Sequence, residues 1–127
     1  MSYERYRDWL DEAEDDFSSA EIMLREGKYS KACFFSQQAA EKALKALHIA
    51  KYRRYEETHS VSELLRRAEA PDELVRAGDR LDRFYIPTRY PNVWPSGAPF
   101  RHYGEEDAKD ALDTSRRVMD FVKKQIR

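Results

Sequence analysis

Two groups of residues have types and spacings that could do chemistry. In IPTRYPNVWPSGAPFRHY, residues 86–103, Arg89, Tyr90, Arg101, His102 and Tyr103 stand among four of the chain's five prolines (Pro87, Pro91, Pro95, Pro99), one at every fourth position. A guanidinium is a fixed bidentate cation and an imidazole titrates near neutral pH, so Arg89 and His102 are candidates for a phosphate contact and an acid–base group. Upstream, Gln37, Glu41, Lys45 and His48 follow at spacings of four, four and three, which places them on one side of a helix. Glu41 and Lys45 read there as an ion pair on a solvated face, worth roughly 0.2–0.5 kcal/mol. His48, between Leu47 and Ile49, reads as ordinary packing, and His59, directly before Ser60, as part of a helix start.

Three scattered histidines and a single cysteine, Cys33, make no case for a metal site, and no cofactor is expected. Twenty-three Lys and Arg balance 24 Asp and Glu for a net charge of -1, so bulk electrostatics do not single out nucleic acid or an anionic membrane. A nucleic-acid role would need a local patch. No apolar run approaches the roughly 20 residues of a membrane span, and the charged start MSYERYRDWLDEAEDD is unlike a signal peptide. The expected location is cytoplasmic, and 127 residues suit one domain, 1–127.

The elements that must position these residues are helices. Tyr6, Trp9, Leu10, Ala13, Phe17, Ala20, Met23 and Leu24 recur every three or four positions and predict a first long helix that stops at Gly27. Ala32, Phe35, Ala39, Ala43, Ala46 and Ala50 form the stripe of a second, to about Tyr52, whose alanines allow close approach of a neighbour. Ser60 with Glu63 is a capping box that starts a short third helix. Pro71, Asp72 and Glu73 suit the first turn of a fourth, ending near Ile86 because Pro87 disfavours helical geometry before it. After Gly104, Ala108, Ala111, Leu112, Ser115, Val118, Met119, Val122 and Ile126 mark a last long helix. The fold class is all-α, an up-and-down bundle of three long and two short helices with a proline- and aromatic-rich loop before the last.

A loop of about 18 residues is uncommon in a compact domain and usually functional or disordered, and the aromatics of this one argue against disorder. Tyr90, Trp94, Phe100 and Tyr103 would be costly to leave in water, so the loop is expected to lie on the bundle or on a partner. Its aromatics read chiefly as packing, with Arg89 or His102 functional on top of that.

Taken together, YSKACFFSQQAAEKALKALHI (29–49), THSVSELL (58–65), FYIPTRYPN (84–92) and YGEEDAKDAL (103–112) resemble the HEPN domain, the small helical domain named for higher eukaryotes and prokaryotes nucleotide-binding. The resemblance implies an all-α bundle that dimerises and pairs with a minimal nucleotidyltransferase in a toxin–antitoxin arrangement. Many members are metal-independent ribonucleases with an Arg-x(4–6)-His motif near the start of the last helical segment. Here Arg89 stands where the arginine would, but positions 94–96 are Trp94, Pro95 and Ser96, and the next histidine is His102. Arg54 and His59 match the spacing, as does Arg53, but they lie between the second and third helices.

Three functions compete. The first is a dimeric binding module for nucleotide or RNA, paired with a nucleotidyltransferase, using Gln37, Glu41, Lys45, Tyr85, Tyr90 and Tyr103 with Arg89. The second is a metal-independent endoribonuclease with a displaced Arg89/His102 pair, and the third a helical scaffold. Tyr85, Tyr90 and Tyr103 are also candidates for nucleotide attachment by the partner, as the resemblance implies.

Overall fold

The computed structural model describes residues 3–126. A short 3-10 turn, Tyr3–Arg5, leads into α1 (Tyr6–Arg25), followed by α2 (Tyr29–Tyr52), α3 (Val61–Arg67), α4 (Asp72–Asp82) and α5 (Glu105–Ile126). The expected bundle of three long and two short helices is what forms, with no strand among the described residues.

Helix α1 ends as its sequence demands. Gly27 takes φ +74, and the amides of Gly27 and Lys28 bond back to Leu24 O at 3.1 Å and Met23 O at 2.8 Å. The reversal brings α2 back along α1, and α5 packs against α2 as well. Ala32, Ala39, Ala40, Ala43 and Ala46 of α2 are buried, so the small residues do admit neighbours closely. Ser115 Oγ on α5 donates to Ser36 O on α2 at 2.7 Å, a buried tie between the two.

Past Arg53, in the left-handed conformation at φ 56, the chain runs without regular secondary structure to Ser60. Ser60 caps α3 as expected, its Oγ accepting from Glu63 N at 3.1 Å. The same helix start is held from α4: Asp82 accepts from Ser60 Oγ at 2.9 Å, Ser62 Oγ at 2.6 Å and the amides of Val61 and Ser62. Gly78 lets α4 close on α3, since a Cβ there would meet Leu65 Cδ1 at 2.8 Å.

Helix α4 stops at Asp82, four residues before the expected Ile86. The amides of Arg83 and Phe84 bond back only three residues, to Arg80 O and Leu81 O. Pro87 has no N–H to give and its ring would crowd the preceding turn. The carbonyls of Phe84 and Tyr85, left open where the helix ends, are taken by side chains, Thr88 Oγ1 at 2.6 Å and Arg89 Nε at 2.8 Å. The end of α4 therefore sets the position of Arg89.

The proline loop contains two 3-10 turns, Pro91–Val93 and Pro99–His102. It lies on the bundle through Tyr103, Trp94 packs within the loop against His102 and Tyr103, and Tyr90 and Phe100 stay 46% and 55% exposed. Of the four aromatics, Tyr103 packs on the core and Trp94 on the loop itself. Gly104 N donates to Asp107 Oδ2 at 2.8 Å where α5 begins.

Candidate functional site

Among the described residues, Arg89 is held without a charge partner. Beyond its bond to Tyr85 O, its Cζ lies 4.5 Å from the ring centre of Phe34, 4.8 Å from Tyr85 and 5.1 Å from Tyr90. A guanidinium among three rings is fixed in orientation yet keeps donors for an incoming acceptor. It opens on a groove of about 300 Å³ lined also by Lys31 and Phe100. Lys31 and Phe100 line a second hollow as well, reaching Lys28 at the start of α2, and no acid lines either. Cations with exposed rings and no carboxylate suit a phosphate with an attached base.

The second feature corrects the solvated-face reading of α2. Gln37, Glu41 and Lys45 are 0%, 4% and 7% exposed. The segment before α3 crosses over them, and the ring of Trp9 on α1 lies 5.8 Å from Lys45 Nζ. Glu41 is the hub: Lys45 Nζ sits 3.0 Å from Oε2, and Gln37 Nε2 donates to Oε1 at 3.0 Å and to His59 O at 3.1 Å. His59 Nδ1 lies 3.2 Å from Oε2 and 3.3 Å from Oε1. A carboxylate only accepts from a ring N–H, so Nδ1 carries the hydrogen and Nε2 is left without a partner among the described residues. The His59 ring stacks on Tyr85, centres 4.5 Å apart and planes 17° apart.

Tyr85 thus bears His59 and Arg89 together. His59 does more than the helix-start role its position suggests, because it also closes over the α2 acid. His48, buried, donates from Nε2 to Leu64 O at 2.9 Å and packs as expected, though as a polar anchor for α3. Arg53 lies over the Tyr3 ring at 5.0 Å.

His102 sits elsewhere. It stacks on Trp94, centres 3.9 Å apart and planes 4° apart, and Nε2 donates to Ser96 O at 2.9 Å. Trp94 Nε1 donates to Pro87 O at 2.8 Å, which fixes the platform. Arg89 and His102 share no contact. Arg101 covers Phe100 at 4.8 Å. Tyr103 packs edge-on to Phe84 and Trp94, and burial, with Cys33 and Asp107 near, pushes its hydroxyl up to about 12. On α1, Glu12, Asp15 and Asp16 cluster, with Lys42 Nζ 2.7 Å from Asp16. Burial raises the Asp16 pKa despite that ammonium.

Lys31, Phe34 and Phe100 do not stand out in the sequence as site residues. Phe34 carries a signal, an aromatic next to Phe35 yet off the alanine stripe. The His59 to Glu41 contact carries none, because 18 residues separate them.

The HEPN domain family matches residues 6–125. The chain is 25% identical over 130 residues to the "Putative toxin MJ1304" of Methanocaldococcus jannaschii, covering 91% of this chain and 84% of that protein. Among solved structures it is similar to TT1696 from Thermus thermophilus, at 42% identity and TM-score 0.91, covering 95% of this chain and 98% of the other. ST0689, an archaeal HEPN homologue, is 38% identical over the whole of both chains with TM-score 0.85. A HEPN domain protein of Thermotoga maritima, TM0613, is 31% identical with TM-score 0.72, covering 91% of this chain and 94% of its own.

Proposed function

The chain belongs to the HEPN domain family, and from that premise we propose a toxin-like binding module whose Arg89 groove takes the phosphate of a nucleotide or RNA. The observation that carries the reading is Arg89 itself, oriented by Phe34, Tyr85 and Tyr90 and paired with no carboxylate among the described residues. Lys31 supplies a second cation, and Phe100 an exposed ring on which a base can stack. The likeness to a protein named as a toxin supports the biological role. The module acts as one cytoplasmic domain, as a homodimer, and in company with a minimal nucleotidyltransferase. No helix among the described residues is long and apolar enough to cross a membrane. Of the three tyrosines open to nucleotide attachment, Tyr90 is the most accessible and Tyr103 is packed away.

Fluorescence anisotropy with a labelled single-stranded RNA and with a labelled nucleotide tests the binding. Arg89→Ala is expected to weaken it about tenfold, and added salt to weaken it further, because phosphate contacts release counterions. Equal affinity in parent and Arg89→Ala would sink the reading. Size-exclusion chromatography with light scattering reads the dimer, and co-purification reads the nucleotidyltransferase. The alternative is a ribonuclease using Arg89 with His102, which here stacks on Trp94 and donates from Nε2 to Ser96 O.

A further inference from the structure

We propose that the amino end of α2 is a second anion site, in which Ser30 and the first amides of the helix, flanked by Lys28 and Lys31, hold a phosphate dianion, free or at the end of a monoester. The site is separate from the Arg89 groove, with which it shares Lys31 and Phe100 as a wall.

Ser30 is the residue that points to a ligand. It is 1% exposed, and its Oγ has no hydrogen-bond partner among the described residues. A buried hydroxyl in that state is costly, because it has given up water and gained nothing in exchange. Ser30 lines a hollow of about 180 Å³ together with Gly27, Lys28, Tyr29, Lys31 and Phe100. The body of the fold offers the hydroxyl no acceptor, so the hollow is the side from which one can come.

The backbone supplies the other donors. The turn after α1 uses the amides of Glu26, Gly27 and Lys28 on Ile22 O, Leu24 O and Met23 O. The next amide with a partner is that of Ala32, on Lys28 O at 2.9 Å. Between them lie the amides of Tyr29, Ser30 and Lys31, at the head of a 24-residue helix whose N-cap residue, Lys28, makes no side-chain bond to them. Free amides at the positive end of a helix dipole are natural donors to phosphate oxygens.

Charge points the same way. The first turn of α2 holds no acid, and Lys28 and Lys31 stand where the dipole is already positive. Those like charges repel one another until an anion sits among them. Glu26, the nearest acid in the chain, closes α1 and does not line the hollow. At about 180 Å³ the hollow falls below the roughly 300–1,000 Å³ of sites for drug-sized molecules, so it suits a compact anion rather than a whole nucleotide. Phe100, 55% exposed, gives an apolar wall on which the organic part of a monoester can rest.

The test titrates the isotope-labelled protein with inorganic phosphate, and with chloride at matched ionic strength, and follows the backbone amides by NMR. Saturable shifts of the Tyr29, Ser30 and Lys31 amides with phosphate alone are expected. Ser30→Ala is expected to weaken binding about tenfold, as the loss of a hydrogen bond to a charged group does, and Lys28→Gln about threefold. Should Ser30→Ala disturb α2, Lys28→Asp decides: a carboxylate at the N-cap takes those amides within the chain, and the phosphate shifts are expected to vanish. Phenyl phosphate separates the two sources of the anion. Tighter binding than inorganic phosphate, with the gain lost in Phe100→Ala, assigns the site to a monoester, and equal or weaker binding assigns it to free phosphate. Shifts that do not saturate, that chloride reproduces, or that persist unweakened in a folded Ser30→Ala or in Lys28→Asp would overturn the proposal. A shift of the Arg89 Nε–H signal with none at residues 29–31 would overturn it too, by placing the anion in the Arg89 groove.

Discussion

His59 and His102 are both imidazoles stacked on a larger ring, and the difference between them lies in what holds the second side of each. His102, on Trp94, gives Nε2 to the neutral carbonyl of Ser96, and the ring becomes part of the loop's frame. His59, on Tyr85, gives Nδ1 to a buried carboxylate and keeps Nε2 open. Stacking is common to both rings, and what sets them apart is the group that takes the ring N–H, a neutral carbonyl for His102 and a buried carboxylate for His59.

The comparison can be broken at its root by Glu41→Ala, which leaves the Lys45 ammonium buried without its partner. The expected loss is about 3 kcal/mol, read as a lower urea midpoint. Trp94→Ala removes the other platform, including the bond to Pro87 O, and is expected to cost about 2 kcal/mol, because Trp94 is only half-buried.

Alkaline pH acts on the loop side. Burial pushes the Cys33 thiol from 9.0 up to about 12, and Tyr103 from 10.0 up to about 12. Raised folded-state values mean that both groups stay protonated in the fold while the unfolded chain ionises. Their contribution to stability is whole below the unfolded values and is lost as pH rises toward the folded ones. From about pH 9 to 10 the Cys33 share is of order 1 kcal/mol. Cys33→Ala is expected to flatten that fall in urea titrations at the two pH values.

The finest discrimination is between the imidazoles themselves. His102→Ala is expected to lose about 1 kcal/mol with its stack and hydrogen bond. His59→Ala, which removes both the bond to the buried Glu41 carboxylate and the Tyr85 stack, is expected to lose about 1.5 kcal/mol. Equal losses would mean that the two rings do the same structural job.

Most of the bundle is legible in the sequence because its signals are local. Gly27 and the Ser60 cap work within a few residues of themselves, and the alanine stripe of α2 announces close packing wherever the neighbour comes from. The end of α4 falls four residues short of where Pro87 alone would put it, since only the geometry reveals Thr88 and Arg89 taking the carbonyls of Phe84 and Tyr85 left open past the helix end. Arg89 can be picked out in sequence as a cation in an odd loop. Its rings cannot, because Phe34 lies 55 positions away. Glu41 and Lys45 look solvated for a related reason: an i,i+4 ion pair is the usual mark of a surface. What covers them comes from α1 and from the run before α3.

The single thiol of this chain gives the molecule a clock. Cys33 is wholly enclosed on α2, near enough to Tyr103 and to Asp107 at the start of α5 for their charges to act on one another. An alkylating reagent can reach it only when the fold parts, so the labelling rate counts openings rather than reporting average structure. A ligand seated in the groove between α2 and the proline loop should slow that clock, which makes occupancy measurable without attaching any probe.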